Sequence, residues 1–242
     1  MDARVKQLLR LGAAHLKEAL GAEQKYCIRG AYQHRSAYTY DDDTGLTDEW
    51  QREVYQRASK IAFDEGLTTI GDVGCGSGFK LIRYLGQFAT TGFDVPETVE
   101  FLKKKYPDRT WTTQELSDTS DQQFDLVISA DVIEHVLDPD RLLRFIVAKA
   151  KSWIVLSTPD RDLIWSRLSP HRLGPPYNPC HVREWSFQEF GRFVAQYLDL
   201  STQFQTASKR RRWSWVECRK VKLAPAARTD RLQPRGPPRP NL

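Results

Sequence analysis

Asp72-Val73-Gly74-Cys75-Gly76-Ser77-Gly78 places three glycines on alternate positions directly after a short β-type run, Thr68 to Val73. Glycine permits positive φ and lets a ligand lie against bare backbone, and the amides that open the next helix, expected over about Phe79 to Leu85, face that ligand. Such a turn suits a nucleoside cofactor, although glycine turns after strands also serve as plain structural punctuation. A dinucleotide phosphate fingerprint, G-x-G-x-x-G/A, wants a third small residue for close helix packing. Phe79 occupies that place, so the pyrophosphate reading weakens.

In an open α/β sheet the ligand lies beyond the carboxyl ends of the strands, so residues at strand ends carry the information. Asp94 ends the second expected strand, 16 residues past Gly78. Its carboxylate can accept both ribose hydroxyl hydrogens, or it can cap the helix after Pro96. Glu115 and Leu116 follow the third strand, where an acid could meet an adenine amine and an apolar side chain could cover the ring; an ordinary loop acid is the alternative. The fourth strand, Phe124 to Ser129, runs into Ser129-Ala130-Asp131-Val132-Ile133-Glu134-His135-Val136.

Taken together in order and spacing over roughly residues 68 to 160, these three segments resemble class I S-adenosylmethionine-dependent methyltransferases. The likeness is to the small-molecule, ubiquinone-pathway-like branch with type 11 and type 23 methyltransferase domains. It implies that Asp72, Gly74, Cys75, Gly76 and Gly78 wrap the methionine end of S-adenosylmethionine. Asp94 then holds the ribose, Glu115 and Leu116 meet the adenine, and the Ser129, Ala130 and Asp131 backbone runs beneath the sulfonium. Glu115 departs from the aspartate more usual in that family.

Transfer from a sulfonium is governed by alignment: orientation can supply roughly 7–11 kcal/mol of barrier reduction, whereas a general base typically gives about 10²–10⁴-fold. A base is optional for an acidic phenol and more valuable for a sugar hydroxyl. Histidine has a suitable pKa. His181 lies in a Pro-rich loop, Gly174 to Trp185, where Glu184 could orient the imidazole, and in the topology implied by the resemblance that loop overhangs the methyl group. His135 lies just past strand four. Either could be the base, His181 could merely fasten its loop, or no protein base is used. Tyr32, Tyr38, Tyr177, Arg183 and Trp185 could wall an acceptor pocket, and equally could be packing residues.

These residues need a scaffold. From Thr68 onward short apolar strands alternate with helical stretches, the pattern of a parallel sheet with helices on both faces. Helices are expected from Asp48 to Glu65, with Thr47 as N-cap, Trp50 on the buried stripe and Gly66 as stop; from Pro96 to about Tyr106; after Asp138-Pro139; and, behind a Ser186–Glu189 capping box, to about Tyr197. Two final runs, Leu200 to Thr206 and Trp213 to Arg219, can pair as an antiparallel hairpin. The expected fold class is therefore α/β, Rossmann-like and doubly wound, with a seven-stranded, mostly parallel sheet. Residues 1–66 read as helices and an aromatic lid, 67–222 as the cofactor domain with 161–185 inserted over the active site, and 223–242 as a disordered Pro/Arg-rich tail.

The chain has 242 residues and a net charge of +5. Residues 1–208 hold 25 Lys/Arg against 29 Asp/Glu, so the whole basic excess is carboxyl-terminal. An enzyme that grips phosphates carries positive charge around its cleft; nucleic acid is therefore a disfavoured partner, and a small-molecule or carrier-linked acceptor is expected. An RNA or protein methyltransferase using the basic segment from Lys209 to Arg212, or a non-catalytic binding module, are the rivals. Four widely separated cysteines without C-x-x-C spacing make metal and disulfide frameworks unexpected. No apolar run is long enough to cross a membrane, and the start lacks a secretory core, which points to the cytoplasm.

Overall fold

A computed structural model describes residues 5–6, 9, 12–13, 16, 24–37, 39, 43–47, 50–113, 115–116, 121–166, 169–208 and 211–219. From residue 204 onward the description is of backbone only. Five strands form the parallel centre of one sheet: β1 (Thr69–Val73), β2 (Ala89–Asp94), β3 (Thr110–Thr113), β4 (Phe124–Ala130) and β5 (Ala150–Pro159), in the order β3-β2-β1-β4-β5. Beyond β5 run β7 (Arg211–Arg219), antiparallel to it, and β6 (Thr202–Ser208), antiparallel to β7. The parallel, doubly wound core is as expected.

The central strands β4 and β5 carry continuous apolar stretches, Leu126–Ile128 and Trp153–Leu156, because both faces are covered. Side chains alternate across the sheet, so neighbours on β4 enter different layers. Leu126 and Ile128 pack with Val54, Tyr55, Ala58 and Ile61 of α1 (Arg52–Asp64). Val127 packs on the other face with Leu142 and Phe145 of α4 (Pro139–Lys149) and Phe190 and Phe193 of α6 (Phe187–Val194). Between α1 and α4 in the chain come α2 (Phe79–Leu85) and α3 (Pro96–Lys105), and the short α5 (Arg161–Ile164) follows β5. None of the helices among the described residues is long and apolar enough to cross a membrane.

The ends of these helices follow local chemistry. Gly66 closes α1 at φ 62, with Leu67 N–H donating to the Ala62 carbonyl and Gly66 N–H to that of Phe63, a Schellman pattern. Asp138 caps α4 through Arg141 N–H, and Ser186 and Glu189 form the expected reciprocal box on α6. The start of α1 corrects the sequence reading. The helix begins at Arg52, because Gln51 takes a left-handed conformation (φ 63) and Trp50 stays 59% exposed instead of joining the buried stripe. Gln51 uses its amide elsewhere, as described below. Helix α6 also stops at Val194, short of Tyr197.

With β2, β1 and β4 side by side, the glycine turn, Asp94 and Asp131 are forced together at the carboxyl edge of the sheet. Tyr38, Tyr40, Asp41, Asp42 and residues 220–242 lie outside the described residues.

Candidate functional site

Gly74, Gly76 and Gly78 all adopt positive φ (77, 52 and 70), so any side chain there would be strained. Space is short as well. A Cβ on Gly74 would overlap Val132, from the loop after β4, and one on Gly76 would overlap the Asp43 carboxylate, which leans onto the turn from the segment before α1.

The hydrogen bonding of the turn decides which ligand charge it suits. Gly74 N–H and Cys75 N–H both donate to the Phe93 carbonyl (2.8 and 3.2 Å), and Gly76 N–H donates to Asp94 Oδ2 (2.8 Å). Gly78 N–H is turned back to the Cys75 carbonyl at 3.0 Å. Four amides that a phosphate would need are thus engaged by the protein. What the turn offers instead is acid. Asp94 is held by Gly76 N–H and Val95 N–H, and burial pushes its carboxyl above the ordinary value against the pull of those bonds. Its oxygens retain lone pairs for further donors. Asp72, fully buried, accepts Tyr55 Oη at 2.9 Å on Oδ2, while Oδ1 has no partner. Burial raises Asp72 to about 7. An orphaned buried carboxylate oxygen is costly, and a cationic group is its natural complement. The cradle fits a cationic, hydroxyl-bearing nucleoside. The Cys75 side chain, by contrast, is core, so only its backbone faces the turn.

Strand β4 ends on a strained residue. Asp131 has φ 56, a conformation costing ~1–2 kcal/mol for a residue with a side chain, and three contacts hold it there. Asp131 N–H donates to the Ser157 carbonyl, Ser157 Oγ donates to Oδ1 (2.6 Å), and Gln51 Nε2 donates to Oδ2 (2.9 Å). Gln51 also reaches the Ala130 carbonyl at 3.3 Å, and Ser129 Oγ donates to the Val73 carbonyl at 2.9 Å. The residue that delays the start of α1 therefore fixes the end of β4.

His135 and His181 meet here although they lie 46 residues apart in the chain: their rings stand edge to face with centroids 4.8 Å apart. His181 is buried, and its Nδ1 lies 2.9 Å from Glu184 Oε1; Glu184 Oε2 accepts Trp165 Nε1–H. His135 Nδ1 lies 3.0 Å from the Cys180 carbonyl. A carbonyl can only accept, so this Nδ1 carries the proton and Nε2 keeps its lone pair. The Glu184 carboxylate imposes the same tautomer on His181. Burial, reinforced by His181, lowers His135 to about 4, which leaves it neutral at ordinary pH. Beneath the pair, Glu134 is fully buried, accepts Thr158 Oγ1–H on Oε2 (3.1 Å), and has no partner for Oε1. Burial, with Asp131 nearby, pushes Glu134 well above its ordinary value.

Three of the candidate pocket residues, Trp185, Arg183 and Tyr32, make contacts within the fold. Trp185 is fully buried in the core, stacked on Phe193, with Nε1–H donated to the Tyr26 carbonyl. Arg183 donates to the Val136 and Leu137 carbonyls and fastens the loop after β4. Tyr32 is buried, and its hydroxyl accepts Glu184 N–H. Tyr177 is 70% exposed and contacts Trp165 and His171, and Tyr38 lies outside the described residues. Glu115 is exposed, and Leu116 packs half-buried against the core.

Three contributors had no sequence signal: Asp43, Gln51 and Arg161. Arg161 is fully buried, ion-paired with Glu189 Oε2 (2.7 Å) and bonded to the Glu184 carbonyl. A polar cavity of about 360 Å³ lies at the opposite edge, lined by strand beginnings such as Thr69, Ala89 and Thr110. Ligands of this fold class bind at the other end.

A family model described as a methyltransferase domain matches residues 44–216. Solved structures share the fold at low identity. Magnesium protoporphyrin IX methyltransferase from Synechocystis PCC 6803, with S-adenosylhomocysteine bound, is 17% identical, with TM-score 0.57 over 71% of this chain and 83% of that one. The N-methyltransferase NodS from Bradyrhizobium japonicum WM9, also with S-adenosylhomocysteine, is 14% identical, with TM-score 0.54 over 75% and 93%. An S-adenosylmethionine-dependent methyltransferase from Aquifex aeolicus is 18% identical, with TM-score 0.54 over 76% and 100%. No curated protein sequence matches the chain.

Proposed function

The chain belongs to this methyltransferase domain family, and we propose that it transfers a methyl group from S-adenosylmethionine to a hydroxyl of a small or carrier-linked acceptor, with a sugar or glycan precursor as first candidate. One observation carries the cofactor assignment. The glycine turn has its amides engaged by Phe93 and Asp94 and presents the unpartnered Asp72 Oδ1, an arrangement that favours a cation and disfavours a phosphate.

When bound, the cofactor supplies an electrophilic methyl carbon on a sulfonium sulfur. The protein's own residues do the rest. Asp72 and Asp43 offer negative charge to the methionyl ammonium, and Asp94, oriented by Gly76 and Val95, accepts the ribose hydroxyls. The Ala130–Asp131 backbone, fixed by Ser157 and Gln51, runs beneath the reacting centre. Residues 161–185 form the cover that excludes water and present His181. With Nδ1–H given to Glu184, His181 Nε2 is the atom placed to take the acceptor proton, and His135 is the second nitrogen of the pair. The antiparallel strands beyond β5 complete this reading as the closing edge of a seven-stranded sheet.

Calorimetric titration with S-adenosylmethionine and NADH tests the cofactor. Saturable binding of the first and none of the second is expected, and tight NADH binding without an S-adenosylmethionine signal would overturn the proposal. Incubation of cell extract with the enzyme and deuterated-methyl cofactor, followed by mass spectrometry, identifies the acceptor. A labelled nitrogen or carbon in place of oxygen would refute the hydroxyl assignment.

A further inference from the structure

Glu134, His135 and His181 each present a donor atom, and the three atoms lie within 4.8 Å of one another. Side chains of this kind gather for several reasons, among them an ion pair, a hydrogen-bonded network or a cation site. A closed network fails on the contacts, and the ion pair is only a long one. His135 Nε2 stands 3.9 Å from Glu134 Oε1, too far for a hydrogen bond, and Oε1 is buried without any partner. In a closed network that oxygen would be satisfied.

The outer contacts point to the third. A histidine that binds a metal almost always gives its other ring N–H to a carboxylate or a backbone carbonyl, which fixes the tautomer and the ring plane. Both forms occur here: His181 Nδ1 on Glu184, and His135 Nδ1 on the Cys180 carbonyl. Glu184 is itself held by Trp165 Nε1–H, and the second oxygen of Glu134 by Thr158. Every atom of the cluster that a cation would not use is already committed. Those it would use, two imidazole Nε2 lone pairs and one carboxylate oxygen, are left over.

We propose that Glu134, His135 and His181 bind a divalent first-row transition-metal ion on the acceptor side of the cofactor cleft. Two imidazoles and one carboxylate suit zinc, manganese, iron or cobalt better than magnesium, which prefers oxygen. Metal bonds of roughly 2.0–2.2 Å hold ligand atoms about 3–4 Å apart. The cluster must therefore contract slightly, and His135, with 35% of its side chain exposed, has the room. Three protein ligands leave positions open for an acceptor oxygen, whose hydroxyl proton then passes to water more readily. The inference rests on reading this cleft as the acceptor side; with the ion bound, His181 Nε2 holds the metal and the acceptor proton goes to water, and without it His181 Nε2 takes that proton.

Cobalt(II) is the probe. The full chain is stripped with chelator, dialysed and titrated while its visible absorption is followed. One saturable equivalent is expected in the wild type. Loss of saturation is expected in His181→Asn and in Glu134→Gln, and Glu184→Gln, which removes only the orienting partner, should weaken binding about 10–100-fold. No saturable signal in the wild type, or equal affinity in all variants, would overturn the site. Should the variants fail to fold, X-ray absorption of the zinc-loaded wild type decides, with two imidazoles in the coordination shell expected and none refuting the proposal. Calorimetry with S-adenosylmethionine on the same samples separates the two readings. Intact cofactor binding without a cobalt signal removes the metal alone, whereas lost cofactor binding in the wild type removes the methyltransferase assignment of the cleft.

Discussion

Tyr55 Oη, from the first turn of α1, donates a 2.9 Å hydrogen bond to Asp72 Oδ2 inside the protein and leaves the other carboxylate oxygen without a partner. The bond ties the helix that precedes the sheet to the acid that leads the glycine turn. Burial pushes both groups up, the tyrosine far and Asp72 to about 7. A carboxylate kept this dry is a liability to the empty fold and an asset to a cationic ligand.

The pH dependence follows with a definite sign. Unfolded, Asp72 titrates near 3.8; folded, at about 7. Between these values the folded protein keeps a proton that the unfolded chain has released, so this group makes stability fall as pH rises through the window and level off above it. Asp72→Asn keeps the shape and removes the titration. Urea midpoints at pH 4.5, 6 and 8 should decline less steeply in the variant. Cofactor affinity in the wild type should rise between pH 6 and 8, since the ligand's positive charge draws the proton off. Parallel stability curves in the two proteins would refute the assignment.

Asp94→Ala removes the proposed ribose acceptor and frees Gly76 N–H, and it should weaken S-adenosylmethionine by ~1–3 kcal/mol, the cost of leaving polar partners unsatisfied. Calorimetry reads this directly. An unchanged dissociation constant would place the ribose elsewhere.

Gly74→Ala faces two obstacles, a φ of 77 and the Val132 side chain. The left-handed conformation alone costs ~1–2 kcal/mol, and overlap adds to it. The double variant Gly74→Ala/Val132→Ala should relieve the overlap but not the backbone strain, so its destabilisation should be smaller than the sum of the single effects. Strict additivity in chemical denaturation would mean that the two loops do not touch.

Periodicity and turn chemistry made much of this legible beforehand. Alternating strand and helix signals, Asp138, the Ser186–Glu189 box and the glycines of the turn act within a few residues, and each appears where the chain places it. What escaped depends on contacts across the fold. Gln51 reads as a helix interior position until its amide is seen on Asp131, 80 residues away. Trp185 reads as a pocket wall or a packing residue alike, and it is core because α6 and the Tyr26 segment close over it. His135 and His181 were visible singly; their pairing was not, since a 46-residue separation carries no spacing signal.

Arg161 is the plainest case of a residue whose importance is invisible locally. It is fully buried after β5, pairs with Glu189 at 2.7 Å and donates to the Glu184 carbonyl at 2.9 Å. The surrounding charge keeps Glu189 below its ordinary value despite burial. Arg161→Ala leaves Glu189 with only the longer Arg29 ion pair (3.6 Å) and the Arg29 and Ser186 amides, and should cost up to ~3–5 kcal/mol in chemical denaturation. Arg161→Met with Glu189→Gln, which removes both charges, should recover much of the loss. A single variant as stable as the wild type would show that the pair holds nothing.

His181 separates binding from chemistry. Its ring contacts His135 and Glu184, whereas the proposed cofactor cradle consists of Asp72, Asp94 and the glycine turn. His181→Ala should therefore leave S-adenosylmethionine affinity within about twofold while lowering the methylation rate by ~10²–10⁴-fold, the usual contribution of positioned proton transfer. Transfer of a deuterated methyl label to the acceptor pool of a cell extract measures the rate, and calorimetry measures the affinity. The loss should be as large in His181→Gln, because an amide fills the same space without supplying a free imidazole lone pair. Full activity in that variant would show that His181 only fastens its loop to Glu184.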